Sequence, residues 1–243
     1  MRAAAVAVAS IFLMAASAAA SDRQPWSPSP EWYVSGIIGG SFMTATSGGT
    51  NTAGGFENTG SITDGAFTGG GSVGRSVPVD GGRWRLEAEG RGRAALAGIT
   101  PSVGDPFFYD VDVTDGWSVT ANAWRDIALG DRWAIYLGGG LGGGGYRLTA
   151  DDLITAGDSR VAEFAWQAGG GAIWRVAERL ELDLGYRFFG LGTGSTPLAD
   201  TFAGDPAGFY SSSLSASEIL LTVRLFEPLA LFRDSRNPHA PKR

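Results

Sequence analysis

The ten residues Trp84 to Arg93 (WRLEAEGRGR) place a charge at every second position, with an apolar or very small residue between. Side chains of a strand alternate between its faces. A strand here therefore carries Trp84, Leu86, Ala88, Gly90 and Gly92 on one side and Arg85, Glu87, Glu89, Arg91 and Arg93 on the other. Five charges on one face suit a fully wet surface, or the polar inside of a barrel whose outside touches lipid. Within a membrane the orientation is forced, because one arginine facing lipid near the midplane costs about 2–4 kcal/mol.

The N-terminus bears on which of these applies. Met1-Arg2, the apolar run Ala3 to Met14 and the small residues Ala18-Ala19-Ala20 before Ser21 read as a secretory signal peptide over residues 1–20. The run is too short for a spanning helix, which needs about 20 apolar residues. Residues 21–30 form a short lead. Removing 20 residues leaves 223 of 243, and loss of Arg2 moves the formal charge from -6 to -7. That acidic balance argues against a nucleic-acid partner. With no cysteine, an exported chain of this length must be held by its hydrogen-bond ladder and its packing. No later apolar run reaches 18 residues, so any membrane crossing is by strands.

Eight segments carry a strand pattern: Glu31 to Phe42, Asp64 to Val77, Trp84 to Arg93, Trp117 to Asp126, Trp133 to Tyr146, Glu163 to Trp174, Leu180 to Phe188 and Ser217 to Phe226. Short turns at Asp80-Gly81-Gly82, Gly130-Asp131 and Ala177-Glu178-Arg179 alternate with long polar loops over Thr44 to Thr63, Ala94 to Thr114, Leu148 to Asp158 and Gly190 to Ser213. Asp-Gly between such segments is a hairpin signal. An even number of strands near ten residues, with short turns on one side and long loops on the other, describes an all-β, eight-stranded antiparallel up-and-down transmembrane β-barrel over residues 31–226. Soluble barrels and sandwiches share the alternation, and a lipocalin-like barrel inverts it. Aromatic placement separates them: Trp32, Trp84, Trp117, Trp133, Trp174, Tyr186 and Phe188 sit at or near strand ends, as interface girdles require.

Several strings resemble a known family. They are Trp32-Tyr33-Val34-Ser35-Gly36, Leu86-Glu87-Ala88-Glu89-Gly90, the glycine-rich run from Tyr136 to Gly142, Phe164-Ala165-Trp166-Gln167 with Gly169, the run from Leu182 to Phe189, and Glu218-Ile219-Leu220-Leu221. In this order they look like the opacity-type, OmpA/OmpX-like eight-stranded outer membrane proteins of Gram-negative bacteria. The resemblance implies the cell outer membrane, with outer membrane lipid, lipopolysaccharide and the barrel assembly machinery as partners. One departure stands out. Such proteins usually stop at the aromatic that closes the last strand, whereas this chain continues from Glu227 to Arg243 in a proline-containing, basic tail whose composition reads as disordered.

Chemistry is sparse. The one histidine, His239, lies in that tail, which leaves Ser-His acyl transfer and His-dependent metal binding without a buried candidate. No cofactor is indicated and the chain does not read as an enzyme. Carboxylate-only catalysis is disfavoured, because lumen carboxylates usually serve as ion-pair partners. Gly138, Gly140 and Gly143 fit G-x-G-x-x-G, yet no helix begins after them. Arg85, Glu87, Glu89 and Arg91 are expected to meet Glu181, Asp183, Arg187, Glu218 and Arg224 as structural ion pairs across a lumen too narrow for a free channel. Eighteen of the 19 basic residues are arginine. Bidentate pairing in a polar interior explains that choice, as does GC-rich codon bias.

Function is then expected from the scaffold and its loops: a structural outer-membrane barrel that supports the envelope and conducts little. Exposed aromatics at Phe56, Phe107, Phe108, Tyr109, Phe202, Phe209 and Tyr210 are candidates for surface adhesion to a host or other ligand. A small porin-like or ligand-binding transport barrel is the second reading.

Overall fold

The computed structural model describes residues 31–229 apart from 53–54, 59 and 102–107; the expected signal peptide, lead and most of the tail lie outside the described residues. Eight long antiparallel strands form a closed ring: β1 (Glu31–Thr52), β3 (Ile62–Val79), β4 (Gly82–Arg93), β6 (Phe108–Ala128), β7 (Trp133–Asp151), β8 (Thr155–Ala177), β9 (Leu180–Asp200) and β10 (Pro206–Phe226). Two short strands, β2 (Gly55–Asn58) and β5 (Leu96–Pro101), extend two of the long hairpins by pairing with β1 and β6. Neighbours in sequence pair in order, and β1 closes on β10 from Tyr33↔Phe226 to Thr50↔Tyr210. The short turns behave as their residues require: Gly81 and Gly82, at φ 72° and 154°, take conformations that favour glycine.

Each strand shows one face to the outside between two aromatic rims. Trp32, Trp84, Trp133 and Trp174 lie near the short-turn end, and Phe42, Phe67, Trp117, Phe164 and Phe188 lie further up, all exposed. Between them the outward residues include Ile38, Val73, Leu86, Val119, Leu137, Leu184, Ile219 and Leu221. From Trp32 to Phe42 is ten steps of about 3.4 Å, and a tilt of about 40° turns that into a band about 25 Å tall. Glycine makes the ring compatible with large inward side chains. A Cβ on Gly185 would stand 2.0 Å from the Tyr136 hydroxyl, and one on Gly140 would stand 1.8 Å from Asn122 Oδ1.

The four polar stretches expected as loops are largely strand. β1 runs ten residues past Phe42, β9 continues to Asp200, and β10 already begins at Pro206. The reason is a second core that the expectation of a wholly polar lumen did not contain. Above the upper rim the inward positions become apolar: Met43 and Ala45 on β1, Leu96 on β5, Val111 and Val113 on β6, Tyr146 and Leu148 on β7, Val161 on β8, Leu191 and Leu198 on β9, and Tyr210 and Leu214 on β10. Tyr210, expected exposed, is only 1% exposed within this cluster. Phe202 and Phe209 are exposed, and the side chains of Phe56, Phe107, Phe108 and Tyr109 lie outside the described residues.

The wall around this upper core is not a continuous ladder. β3 and β4 pair only as far as Thr68↔Arg93, and β8 and β9 do not pair between Ala156↔Ala199 and Ala165↔Leu191. Above the rim the wall thus has two gaps, one between β3 and β4 and one midway along β8 and β9, which rejoin at Thr155↔Asp200 and Ala156↔Ala199. The head is a gapped upward extension of the closed ring. Leu148→Ala should accordingly cost about 2–4 kcal/mol, as deletion of a buried leucine does. Denaturant unfolding should show that loss while the variant still assembles and keeps its heat-modifiable gel migration.

Candidate functional site

The membrane-level interior holds the charges. Six arginines (Arg83, Arg85, Arg91, Arg93, Arg187 and Arg224) and six carboxylates (Glu87, Glu89, Asp126, Glu181, Asp183 and Glu218) are all buried there, so the network is formally neutral. Arg83 and Arg85 share Asp126, each with Nε 2.8 Å from Oδ2. Arg224 reaches Asp183 at 2.6 Å and Glu181 at 3.1 Å, and Glu181 also holds Arg83. Arg91 binds Glu89 at 2.6 Å and also Glu218, which takes Arg93 at 2.9 Å, while Arg187 binds Glu89. Neutral donors complete the mesh. Trp124 Nε1 and the Tyr33 hydroxyl donate to Glu87 at 2.7 and 2.8 Å, and Gln167 donates to Asn122 Oδ1 at 2.7 Å.

Stacking accounts for the remaining arginine surface. Arg83 lies over Phe226, Arg85 over Tyr136, Arg93 over Phe189, Arg187 over Trp124 and Arg224 over Tyr33, with guanidinium carbons 3.9–5.3 Å from the ring centres. Arg85 Nη2, Arg93 Nη2, Arg187 Nε and Arg224 Nε find no acceptor, and all four belong to guanidiniums seated on rings. A planar cation can trade an acceptor for a π face, which the compact, strongly hydrated lysine ammonium does less well. This gives the arginine preference a physical cause at five of the six positions.

All nine residues expected in the lumen face inward and join this one network. Sequence reasoning missed Arg83, Asp126, Tyr33, Trp124, Asn122 and Gln167 as members, and left Arg93 out of the pairs. The signal was present on β6, where Ser118, Thr120, Asn122, Trp124 and Asp126 alternate inward against Trp117, Val119, Ala121 and Ala123. As chemistry, the arrangement is an occupied polar core. Each of its carboxylates is held by at least one arginine.

At the opposite end, the β7–β8 and β9–β10 turns, expected as polar loops with Phe202 an exposed aromatic, form a braced tip. Leu153 is 86% exposed and has φ 74°, and Phe202 is 88% exposed. A non-glycine residue held there costs about 1–3 kcal/mol and persists only when its surroundings impose it. They do so here. Asp151 Oδ1 accepts from the Leu153 amide at 2.7 Å, and Asp152 Oδ1 accepts from the Ile154 and Thr155 amides at 3.0 and 2.5 Å. Asp200 Oδ1 accepts from the Phe202 and Ala203 amides at 2.8 and 2.7 Å. The two turns are tied together by the Thr201 amide donating to Ile154 O at 2.8 Å, with the Thr201 hydroxyl within 3.1 Å of both Leu153 O and Ile154 O.

Residues 6–217 match the family described as the outer membrane protein beta-barrel domain. The chain belongs to that family. It is an outer membrane β-barrel of Gram-negative bacteria, and in such barrels the short turns lie on the periplasmic side and the longer extensions, here the head, outside. Among solved structures it is similar to Neisserial surface protein A (15% identity, TM-score 0.44, 80% of this chain and 96% of that one). It is also similar to Ail, the attachment invasion locus protein of Yersinia pestis (12%, 0.38, 80% and 99%), and to the outer membrane protease OmpT of Escherichia coli (10%, 0.35, 81% and 96%). Compared by sequence with curated proteins, the chain finds no significant match.

Two outcomes follow from the geometry. Glu218→Gln removes the charge shared by Arg91 and Arg93 and should cost about 3–5 kcal/mol, as breaking a buried pair does. In a double-mutant cycle, Glu89→Gln with Arg187→Gln should cost less than the sum of the two singles, read as unfolding free energy in micelles. At the tip, the two amides hold the Asp200 carboxyl below its usual range. A depressed folded pKa means the stabilisation is present above the unfolded value and is lost as pH falls through the folded one. The Phe202 and Ala203 amide resonances should therefore titrate with a midpoint below about 3.9, the ordinary aspartate value.

Proposed function

We propose that this protein is a closed, non-enzymatic barrel that strengthens the outer membrane and carries an adhesive head. The observation behind the first part is the interior itself: a neutral six-by-six arginine–carboxylate network filling the membrane level, with an apolar core stacked above it. An ion would have to part buried pairs and then cross a mostly apolar layer that offers it a few hydroxyls and no charge, each step costly. Occupied carboxylates also speak against catalysis in the lumen, since a general base needs a free lone pair at its substrate. Barrel strength and outward anchoring then become the useful properties. The rims of Trp and Phe fix the depth in the bilayer, in contact with phospholipid on the inner leaflet and lipopolysaccharide on the outer.

The adhesive part is supported by the head, which rises about as far above the upper rim as the band extends below it and ends in braced, exposed apolar residues. Closing the ring does not require such a tip, and exposed apolar residues grouped at one point suit an interaction surface. Purified protein in planar bilayers should give no steady channel of porin size. Cells lacking it should become more sensitive to detergent and adhere less to surfaces, with both restored by the wild-type chain. A stable open conductance would instead favour the transport reading.

A further inference from the structure

We infer that the Leu153–Ile154–Phe202 tip docks on, and partly enters, the zwitterionic phospholipid surface of a second membrane. This rests on the adhesive reading above and names its partner. Three features of the tip carry it.

The backbone donors of the tip are already spent. Every backbone amide from Asp152 to Thr155 and from Asp200 to Gly204 donates to an atom of the same two turns or to their flanking residues, over 2.5–3.1 Å. The Leu153 and Ile154 carbonyls accept from Thr201. Backbone groups already satisfied internally can leave water cheaply, which is the condition for entering a lipid interface and not what a polar protein interface uses. The large side chains that project furthest, Leu153 and Phe202, are apolar, so a deformable apolar-accepting surface suits them.

Charge selects among such surfaces. Asp110, Asp151, Asp152, Asp200 and Asp205 lie around the tip, and neither Thr149–Asp158 nor Pro197–Ser212 contains a lysine or arginine. Those carboxylates repel an anionic bilayer and also a second copy of the same tip, whereas choline headgroups present cations outermost and carry no net charge. Finally, a left-handed backbone position that glycine or asparagine would fill without strain is given to leucine, 86% exposed. One residue thus breaks two rules at once, and outliers held in place by their surroundings cluster at sites of function.

The chain has no cysteine, so Ala203→Cys, on the exposed turn beside Phe202, gives a single site for a polarity-sensitive fluorophore. Labelled protein held in nanodiscs should blue-shift and bind saturably when phosphatidylcholine vesicles are added, and bind about fivefold or more weakly to vesicles with half phosphatidylglycerol. Leu153→Gly, which suits the positive φ and so keeps the fold, should weaken binding about tenfold, as should Phe202→Ser. An unshifted fluorophore, equal binding by both variants, or no preference against phosphatidylglycerol overturns the proposal. Cells that adhere through the head while the protein ignores vesicles would overturn it and leave adhesion standing, with a protein receptor. If neither adherence nor vesicle binding occurs, both readings fall.

Discussion

Everything in this barrel depends on keeping its narrow interior electrically neutral and hydrogen-bonded while its exterior is apolar. A strand that crosses hydrocarbon cannot show charge to lipid near its middle, so alternation sends the charges there inward and leaves outward arginines only at the lower rim, Arg75 beside Trp32 and Arg125 beside Trp84. Once inside, no charge can remain alone, because an isolated buried ion costs far more than a pair. Six arginines against six carboxylates meet that condition. The ring can hold so many long side chains only because inward glycines such as Gly140 and Gly185 yield space beneath Asn122 and Tyr136. The unusual glycine content of the strands and their unusual charge content therefore have one cause.

The solvent changes at the upper rim, and the interior changes with it. On β9 the same inward parity runs Glu181, Asp183, Gly185, Arg187, Phe189 and Leu191, passing from charge to hydrocarbon without a change of face. On β10 it runs from Arg224 and Glu218 to Ala216 and Leu214. Below the rim the outside is lipid and the inside must be polar. Above it the outside is water and the inside is free to be apolar, as in a soluble protein. The chain is one fold built under two opposite solvent rules, and on β9 and β10 the switch happens within one or two inward residues.

That switch explains what could be read in the sequence and what could not. WRLEAEGRGR, the alternating runs of β9 and β10, and the terminal aromatics identify a ring of eight strands and the nine inward charges, because each is a local property of one strand. Asp126 and Arg83 become essential only through each other and through Arg85 and Glu181, which are pairings across the lumen that no single strand displays. Trp124 shows the same limit: its place on β6 does not reveal that its indole donates across the lumen to Glu87. The head was hidden by composition. Its Gly, Ser and Thr content reads as loop, while its period-two apolar residues, such as Val111 and Val113 or Tyr146, Leu148 and Ala150, carry the strand signal.

The pairing irregularities locate the membrane independently of the aromatics. Six register breaks occur among the described strands: Thr46/Gly49, Thr114/Trp117, Ala156/Ala165, Arg175/Ala177, Pro206/Gly208 and Ser213/Leu214. Each lies at or beyond a rim, with Arg175/Ala177 just outside Trp174 and the others on the head side of Phe42, Trp117, Phe164 or Ser217. The β3–β4 ladder likewise stops one residue short of Phe67. Hydrocarbon offers no water to an unpaired amide or carbonyl, so a break inside the band would leave backbone groups unsatisfied at several kcal/mol each. Above the rim water can take those groups, and the ring is free to open gaps between β3 and β4 and along β8 and β9. The places where the ladder fails thus bound the same 25 Å band as the rings of Trp and Phe, by a criterion that uses no side chain at all.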